Sequence, residues 1–240
     1  MVDIKIQFDP NLRKSIIKRK QVAVIPVGSI EQHGPHLPVS TDSDIVTEVS
    51  KRISEKNGYL LLPTLNYGVS FEHAPFFNLS ISESTLRRIL TDLCSSLLAN
   101  NIKTVFIING HHGNQKSIKN LDIKLRKISK NKLKVFPLSY WHFMEREFDH
   151  AGFVETSLML SISKNVKMKL AKRGLITDGM TNQEIKKLGK LANQSFPKAT
   201  KNGIWGDPTK ATKKDGQVIL AEIVKNLGKK CQTCLTGHIS

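Results

Sequence analysis

The sequence predicts an α/β fold with a mostly parallel central sheet. Two observations carry this. Short β-branched runs of the fully buried kind, QVAVIPV at 21–27 and KTVFIIN at 103–109, alternate with segments of helical spacing. Strands separated by helices pair in parallel through right-handed crossovers. The length of 240 residues and a 39% hydrophobic content suffice for one large domain. No repeat, low-complexity tract or linker divides the chain, so 1–240 is read as one domain. Residues 1–20 are a peripheral lead-in strand or turn, and 229–240 a peripheral tail.

The elements follow in order. After the first strand at 21–27, Ile45, Val46, Val49 and Ile53 mark one face of a helix, with Gly58 as its C-cap. Tyr59 to Leu65 is a second strand. Residues 66–82 are a long aromatic-rich loop, a length often tied to function. Leu86, Ile89, Leu90, Leu93, Leu97 and Leu98 line a helix from about Glu83 to Asn100. The third strand, 103–109, runs into GHHGN. Gln115 to Lys130 is a helix with Ile118, Leu121, Leu125 and Ile128 inward. Leu133 to Leu138 is a fourth strand. Glu155 to Ser163 reads as helix, with Thr156 or Ser157 near its start. Residues 164–190 are basic surface, 203–210 a Gly/Pro loop, and about Thr212 to Leu227 a last helix carrying Val218, Ile219, Ile223 and Val224.

The chemistry gathers in VIPVGSIEQHGPHLPVSTDSD at 24–44. Glu31, His33, His36, Asp42 and Asp44 follow a strand's exit, in a loop shaped by Gly34, Pro35 and Pro38. Ligands in open α/β sheets bind beyond the carboxyl ends of strands, where His111 and His112 also fall. Glu31 and His33, one residue apart, point to the same side of extended backbone. Asp42 stands near a helix start, where it could also simply cap the helix. Glu31, His33 and Asp42 are read as the beginning of a metal site. Mixed carboxylate and imidazole donors suit Zn, Mn or Fe.

Three blocks, GSIEQHGPHLPVSTDSD (28–44), NGHHGN (109–114) and HAGFVETSLML (150–160), resemble the signature blocks of the creatininase family of metal-dependent amidohydrolases. GIWGDPTKAT (203–212) resembles a fourth. The resemblance implies a three-layer α/β/α sandwich and two divalent metal ions (Zn, Fe or Mn) per chain. Carried over by position, Glu31 and His111 bind one ion, His33 binds the other and Asp42 bridges them. The family's namesake has a further Glu ligand two residues after the motif His. That position is Gly113 here, so Glu155 is the expected substitute and creatinine specificity recedes. His150 is the expected proton donor or substrate holder, or else a residue that orients a ligand. His73 faces the pocket. Asn109 and Asn114 brace the loop. Trp141 and Trp205 are pocket walls or core.

The expected activity is hydrolysis of a C–N amide or formamide bond in a small molecule. Deformylation of 2-amino-5-formylamino-6-ribosylaminopyrimidin-4(3H)-one 5'-monophosphate comes first, creatinine second and a peptide third. Thirty-seven Lys and Arg against 20 Asp and Glu give +17, which reads first as a basic surface with scattered Lys and mildly favours a phosphorylated substrate. Non-enzymatic nucleic-acid binding is the reading from another class; it leaves the clustered carboxylates unexplained. Three Cys make no disulfide framework, and no signal peptide or membrane-length apolar run is seen, which sets a cytoplasmic expectation. Cys231, Cys234 and His238 form half a zinc knuckle at most and are expected as exposed tail residues. The resemblance further implies a ring-like homo-oligomer such as a hexamer.

Overall fold

A computed structural model describes residues 2–19 and 21–237. Five parallel strands form one sheet: β1 (Val2–Asp3), β2 (Val22–Val27), β3 (Leu60–Leu61), β4 (Thr104–Asn109) and β5 (Lys134–Ser139). Their order is β1-β3-β2-β4-β5. The helices are α1 (Asp9–Arg19), α2 (Thr41–Asn57), α3 (Glu83–Ala99), α4 (Gln115–Ile118), α5 (Leu121–Ile128), α6 (Phe153–Ile162), α7 (Asn182–Ala192), α8 (Phe196–Thr200) and α9 (Lys213–Thr236).

The sheet divides two apolar layers because strand side chains alternate between faces. Val24, Phe106 and Ile108 pack towards residues of α2, α6 and α9, among them Val49, Leu158 and Ile223. Ala23, Ile25, Val27, Val105 and Ile107 pack on the other face, towards α3 and α5 through Leu86, Leu90 and Leu125. This is the three-layer α/β/α sandwich.

Two prolines lie inside strands, and the sheet accommodates both. The Pro26 carbonyl accepts from Leu65 N–H at 3.0 Å. Its N-side therefore faces β3, whose regular pairing has already ended. Pro137 lies in edge strand β5. Lys134 N–H donates to Lys103 O on the β4 side, so position 137 faces away from β4 and loses no ladder bond there.

Several expectations are corrected. Residues 1–20 are not merely a strand or turn: α1 occupies Asp9–Arg19, with Pro10 in its first turn, a place that suits proline. The strand expected over 59–65 is regular only at Leu60–Leu61, because Pro63 lacks a donor; a bridge between Val27 and Leu65 follows. The helix expected over 115–130 breaks at Asn120, which is left-handed at φ 58°, and Ile128 faces solvent. Helix α6 starts two residues earlier than expected, so Thr156 and Ser157 lie inside it. Helix α7, opened by a Thr181/Glu184 capping box, begins within the stretch read as basic surface and runs past its end to Ala192. Val218 is exposed, whereas Ile219 and Ile223 are buried. The tail beyond 228 is not peripheral throughout: α9 continues to Thr236 and buries Cys231 in the core. Burial pushes the Cys231 thiol up to about 12, so it is no exposed tail thiol. His238 lies outside the described residues.

Strand connections leave β2 towards β3 on one side and β4 towards β5 on the other, so the topological switch falls between β2 and β4. A crevice opens at such a point beyond the strand ends. Val27 and Asn109 are partners in register there.

Candidate metal centre

The segments leaving β2 and β4 meet the first turn of α2 at this crevice. Gly110 permits the approach: a Cβ on it would lie 2.7 Å from Val46 Cβ and 2.8 Å from Asp42 O. Asp42 sits in the first turn of α2 and makes no capping bond. Asn114 braces the rest by accepting from Val69 N–H (3.0 Å) and donating to Gly28 O (3.0 Å). Asn109 Oδ1 accepts from His111 N–H at 3.1 Å. The bracing role expected of both asparagines is what the contacts show.

Glu31, His33, Asp42, His111 and Glu155 are all buried. Two groups drawn from them could each hold an ion, Glu31, Asp42 and His111, and His33, Asp42 and Glu155; a third joins Glu31 and His33 to His150. Asp42 belongs to the first two. His111 Nδ1 lies 3.0 Å from Asp42 Oδ2, and His33 Nε2 lies 3.3 Å from Asp42 Oδ1 and 3.5 Å from Glu155 Oε2. The imidazoles are aimed by backbone: His33 Nδ1 donates to Glu31 O (3.1 Å) and His111 Nε2 to Val69 O (2.8 Å). Each bond leaves the other nitrogen as the free donor to the cluster. Glu155 Oε2 accepts from Ala151 N–H at 2.7 Å, and Ala151 is left-handed at φ 52°. Backbone strain of this kind is common at functional sites.

The donor set fits divalent cations on an observation of its own. Both Glu31 carboxylate oxygens, Asp42 Oδ2, Glu155 Oε1 and His33 Nε2 are buried with no hydrogen-bond partner among the described residues. Buried polar atoms are normally satisfied, and a cation would satisfy these. His36 and Asp44 stand apart: His36 Nε2 bonds Thr156 Oγ1 (2.9 Å) and Asp44 accepts from Ser40 Oγ (2.8 Å).

Without metal, protons take the place of ions. Burial would lower His33, but Asp42 and Glu155 outweigh it and push it up to about 10. His111 rises to about 10 in the same way, through Glu31 and Asp42. Burial pushes Glu155 up to about 8, only partly offset by His33. All three groups hold protons in the folded state that the unfolded chain releases as pH rises. Their linkage therefore costs metal-free stability progressively, for Glu155 from about 4.5 to 8 and for the histidines from about 6.5 to 10. We expect the melting temperature of chelated protein to fall from pH 6.5 to 10, and the rise on adding Zn or Mn to grow over the same window, since ligands bind metal deprotonated. Calorimetry across that range checks both.

A cavity of about 460 Å³ opens onto the cluster. Its walls include Glu72, His73, His112, Trp141, His150 and Trp205. His73 Nε2 lies 3.1 Å from Glu31 Oε1, and Phe196 stacks on its ring at 4.6 Å. His150 Nδ1 lies 3.8 Å from Glu31 Oε1, and its ring lies 4.2 Å from that of His33. Trp141 stacks on Phe148 at 4.6 Å.

A family model described as creatinine amidohydrolase matches residues 9–231. The chain belongs to the creatininase family. It is a family amidohydrolase, a hydrolase of C–N bonds with residue groups able to bind metal. It is 32% identical over 213 residues to the mycofactocin precursor peptide peptidase of Mycobacterium ulcerans, covering 84% of this chain and 80% of that one. It is 30% identical over 167 residues to creatinine amidohydrolase of Pseudomonas putida, covering 59% and 64%. The formamidopyrimidine nucleotide deformylase of Methanosphaera stadtmanae is 29% identical over 173 residues, covering 70% and 71%. A solved creatinine amidohydrolase shares the fold with a TM-score of 0.80 at 23% identity, covering 95% and 96%. Solved creatininases of this fold include a manganese form and a zinc–zinc form.

The departure from the family's namesake at Gly113 has a structural counterpart. A Cβ there would lie 2.1 Å from Val69 O and 2.9 Å from Glu72 Oε1. This backbone has no room for a side chain at 113 without rearrangement, and Glu155 belongs to the second group. Sequence reasoning missed Gln32, Glu72 and Phe196. Gln32 Nε2 lies 3.0 Å from His73 Nδ1 and 3.2 Å from Gly203 O, holding the rim histidines in place. Its signal was its position between Glu31 and His33. Glu72 precedes His73 in a loop already singled out. Phe196 had no signal, because only folding brings it over His73.

Proposed function

We propose that this chain hydrolyses an amide-type C–N bond of an uncharged or cationic substrate at two divalent ions. Glu31, Asp42 and His111 would hold one, and His33, Asp42 and Glu155 the other. The sharing of Asp42 between two groups with unpartnered buried donor atoms carries this reading. When bound, such ions would supply a water of lowered pKa and polarise a substrate carbonyl.

The chain's own residues do the rest. His150 Nε2 lies 3.0 Å from Gln32 O and 3.1 Å from Gln32 Nε2, while its Nδ1 faces the cluster 3.8 Å from Glu31 Oε1. Burial, with His33 and His73 nearby, holds it well below the usual imidazole range and keeps it neutral. His150 takes a proton from the attacking water at Nδ1 and returns it to the leaving nitrogen. Trp141, Phe148 and Trp205 hold a flat group and exclude water.

The substrate's charge follows from the walls. Apart from Glu31 and Asp42, whose charge the ions would offset, Glu72 and Asp149 line the cavity, and no Lys or Arg does among the described residues. A phosphate held away from the ions finds no Lys or Arg on these walls, so nucleotide deformylation ranks below an uncharged or cationic amide. Nucleic-acid binding at this cavity is disfavoured for the same reason. A panel of creatinine, short peptides, the formamidopyrimidine nucleotide and its nucleoside, given to Zn- or Mn-loaded protein, tests this. We expect turnover of an uncharged or cationic amide to exceed that of the nucleotide by about tenfold or more. A tenfold preference the other way would overturn the substrate assignment.

A further inference from the structure

One side chain stands between the two histidines of the cavity wall, and its hydrogen bonds can be counted. Gln32 Oε1 accepts from Gly34 N–H at 3.0 Å, which fixes the orientation of the amide and turns Nε2 the other way. Nε2 then lies 3.0 Å from His73 Nδ1, 3.1 Å from His150 Nε2 and 3.2 Å from Gly203 O. His150 Nε2 also lies 3.0 Å from the Gln32 carbonyl oxygen. Gly203 closes on this amide: its φ is 76°, and a Cβ there would lie 2.0 Å from Gln32 Oε1. Phe196 packs on both imidazoles with ring centroids 4.6 Å away, so neither ring turns freely.

These donors and acceptors pair completely in one way only. The amide has two hydrogens, and each neutral imidazole has one. The carbonyls of Gln32 and Gly203 only accept, and no other donor reaches either of them among the described residues. If the amide donated to His150 Nε2, the Gln32 carbonyl would have no donor, and either Gly203 O or His73 Nδ1 would lose its own. Polar groups left unpaired away from water cost free energy, so the complete pairing is favoured. In it, His150 Nε2–H donates to Gln32 O, and the amide donates to Gly203 O and His73 Nδ1. His73 then carries its proton on Nε2, 3.1 Å from Glu31 Oε1. The opposite tautomer would set a nitrogen lone pair against that carboxylate oxygen. We infer that Gln32 is a positioning residue that sets the tautomers of both histidines. It leaves His150 Nδ1 bare towards the cluster and turns the His73 N–H on Glu31. The pairing stands on hydrogen bonds alone; its use in proton transfer rests on the amidohydrolase reading above.

Tautomers can be measured without turnover. Zinc-loaded protein with isotope-labelled histidine gives long-range proton–nitrogen correlation spectra that separate bare from protonated ring nitrogens. His73→Gln and His150→Gln assign the two signals. In the unsubstituted protein both residues should have Nδ1 bare and Nε2 protonated. Gln32→Glu puts an acceptor where the amide donates, so His73 should carry a proton on Nδ1, while His150 keeps its Nε2–H. A side chain that only filled space would move neither signal in this way. Where an amide is turned over, Gln32→Glu should lower kcat about tenfold or more and change KM by less than about threefold, since the groups it aligns act on the reacting bond rather than on substrate affinity. A proton on Nδ1 of either histidine in the unsubstituted protein would overturn the inference. So would a His73 tautomer unchanged in Gln32→Glu. The expected tautomers in zinc-loaded protein that cleaves no amide would instead overturn the amidohydrolase reading and leave the pairing through Gln32 supported.

Discussion

Asp42→Ala should release metal from both halves of the site and lower kcat/KM by at least about 10³-fold, since bound cations contribute several kcal/mol to transition-state stabilisation. The size follows from position. Asp42 is the one residue common to the two groups proposed to hold the ions, with one oxygen 3.0 Å from His111 Nδ1 and the other 3.3 Å from His33 Nε2. Its side chain does not cap α2, so its loss removes no helix-terminal bond. The metal-free variant loses the carboxylate that faces both imidazoles, so its thermal melt should lie below that of chelated protein. The diagnostic difference is metal response. Binding stabilises by about 2.7 kcal/mol at ~100 times Kd, so Zn or Mn should raise the melting temperature of the unsubstituted protein and leave the variant unmoved. A variant that still gains stability from metal and keeps its activity would remove Asp42 from the centre.

Glu155→Gln should act on one half only. The amide preserves shape and keeps an oxygen to accept the Ala151 N–H bond, now 2.7 Å. It removes the charge facing His33 Nε2. Metal content should fall from about two to about one ion per chain, and kcat by about 10² to 10³-fold, with the larger share in kcat rather than KM. The same variant should melt higher than the unsubstituted chain when both are metal-free at pH 9. Burial raises the Glu155 carboxyl to about 8, so at that pH the folded chain must hold a buried charge that Gln lacks. An unchanged metal count with full activity would show that Glu155 is no ligand and that Gly113 has no substitute.

Much of this site was legible because its residues are close in sequence. Glu31, His33 and Asp42 leave one strand together, and His111 leaves its neighbour in the sheet, so the α/β pattern alone brings them to one crevice. The central strands were equally plain, being continuous apolar runs bounded by polar turns. What was missed depends on packing. Nothing local distinguishes the exposed cysteine expected at 231 from the buried one found, because α9 extends past Leu227 only by resting on the sheet's helical layer. The break at Asn120 interrupts a pattern that reads as one helix. Gln32 looked like a spacer until folding placed His73 and Gly203 against it. The charge was readable as a total but not by place: no Lys or Arg lines the cavity among the described residues.

The most direct measurement is anomalous diffraction from crystals of the zinc- or manganese-loaded protein at the metal's absorption edge. We expect two peaks on either side of Asp42, one against Glu31 and His111 and the other against His33 and Glu155. A single peak, or metal bound away from Asp42, would contradict the shared-carboxylate centre on which the account rests.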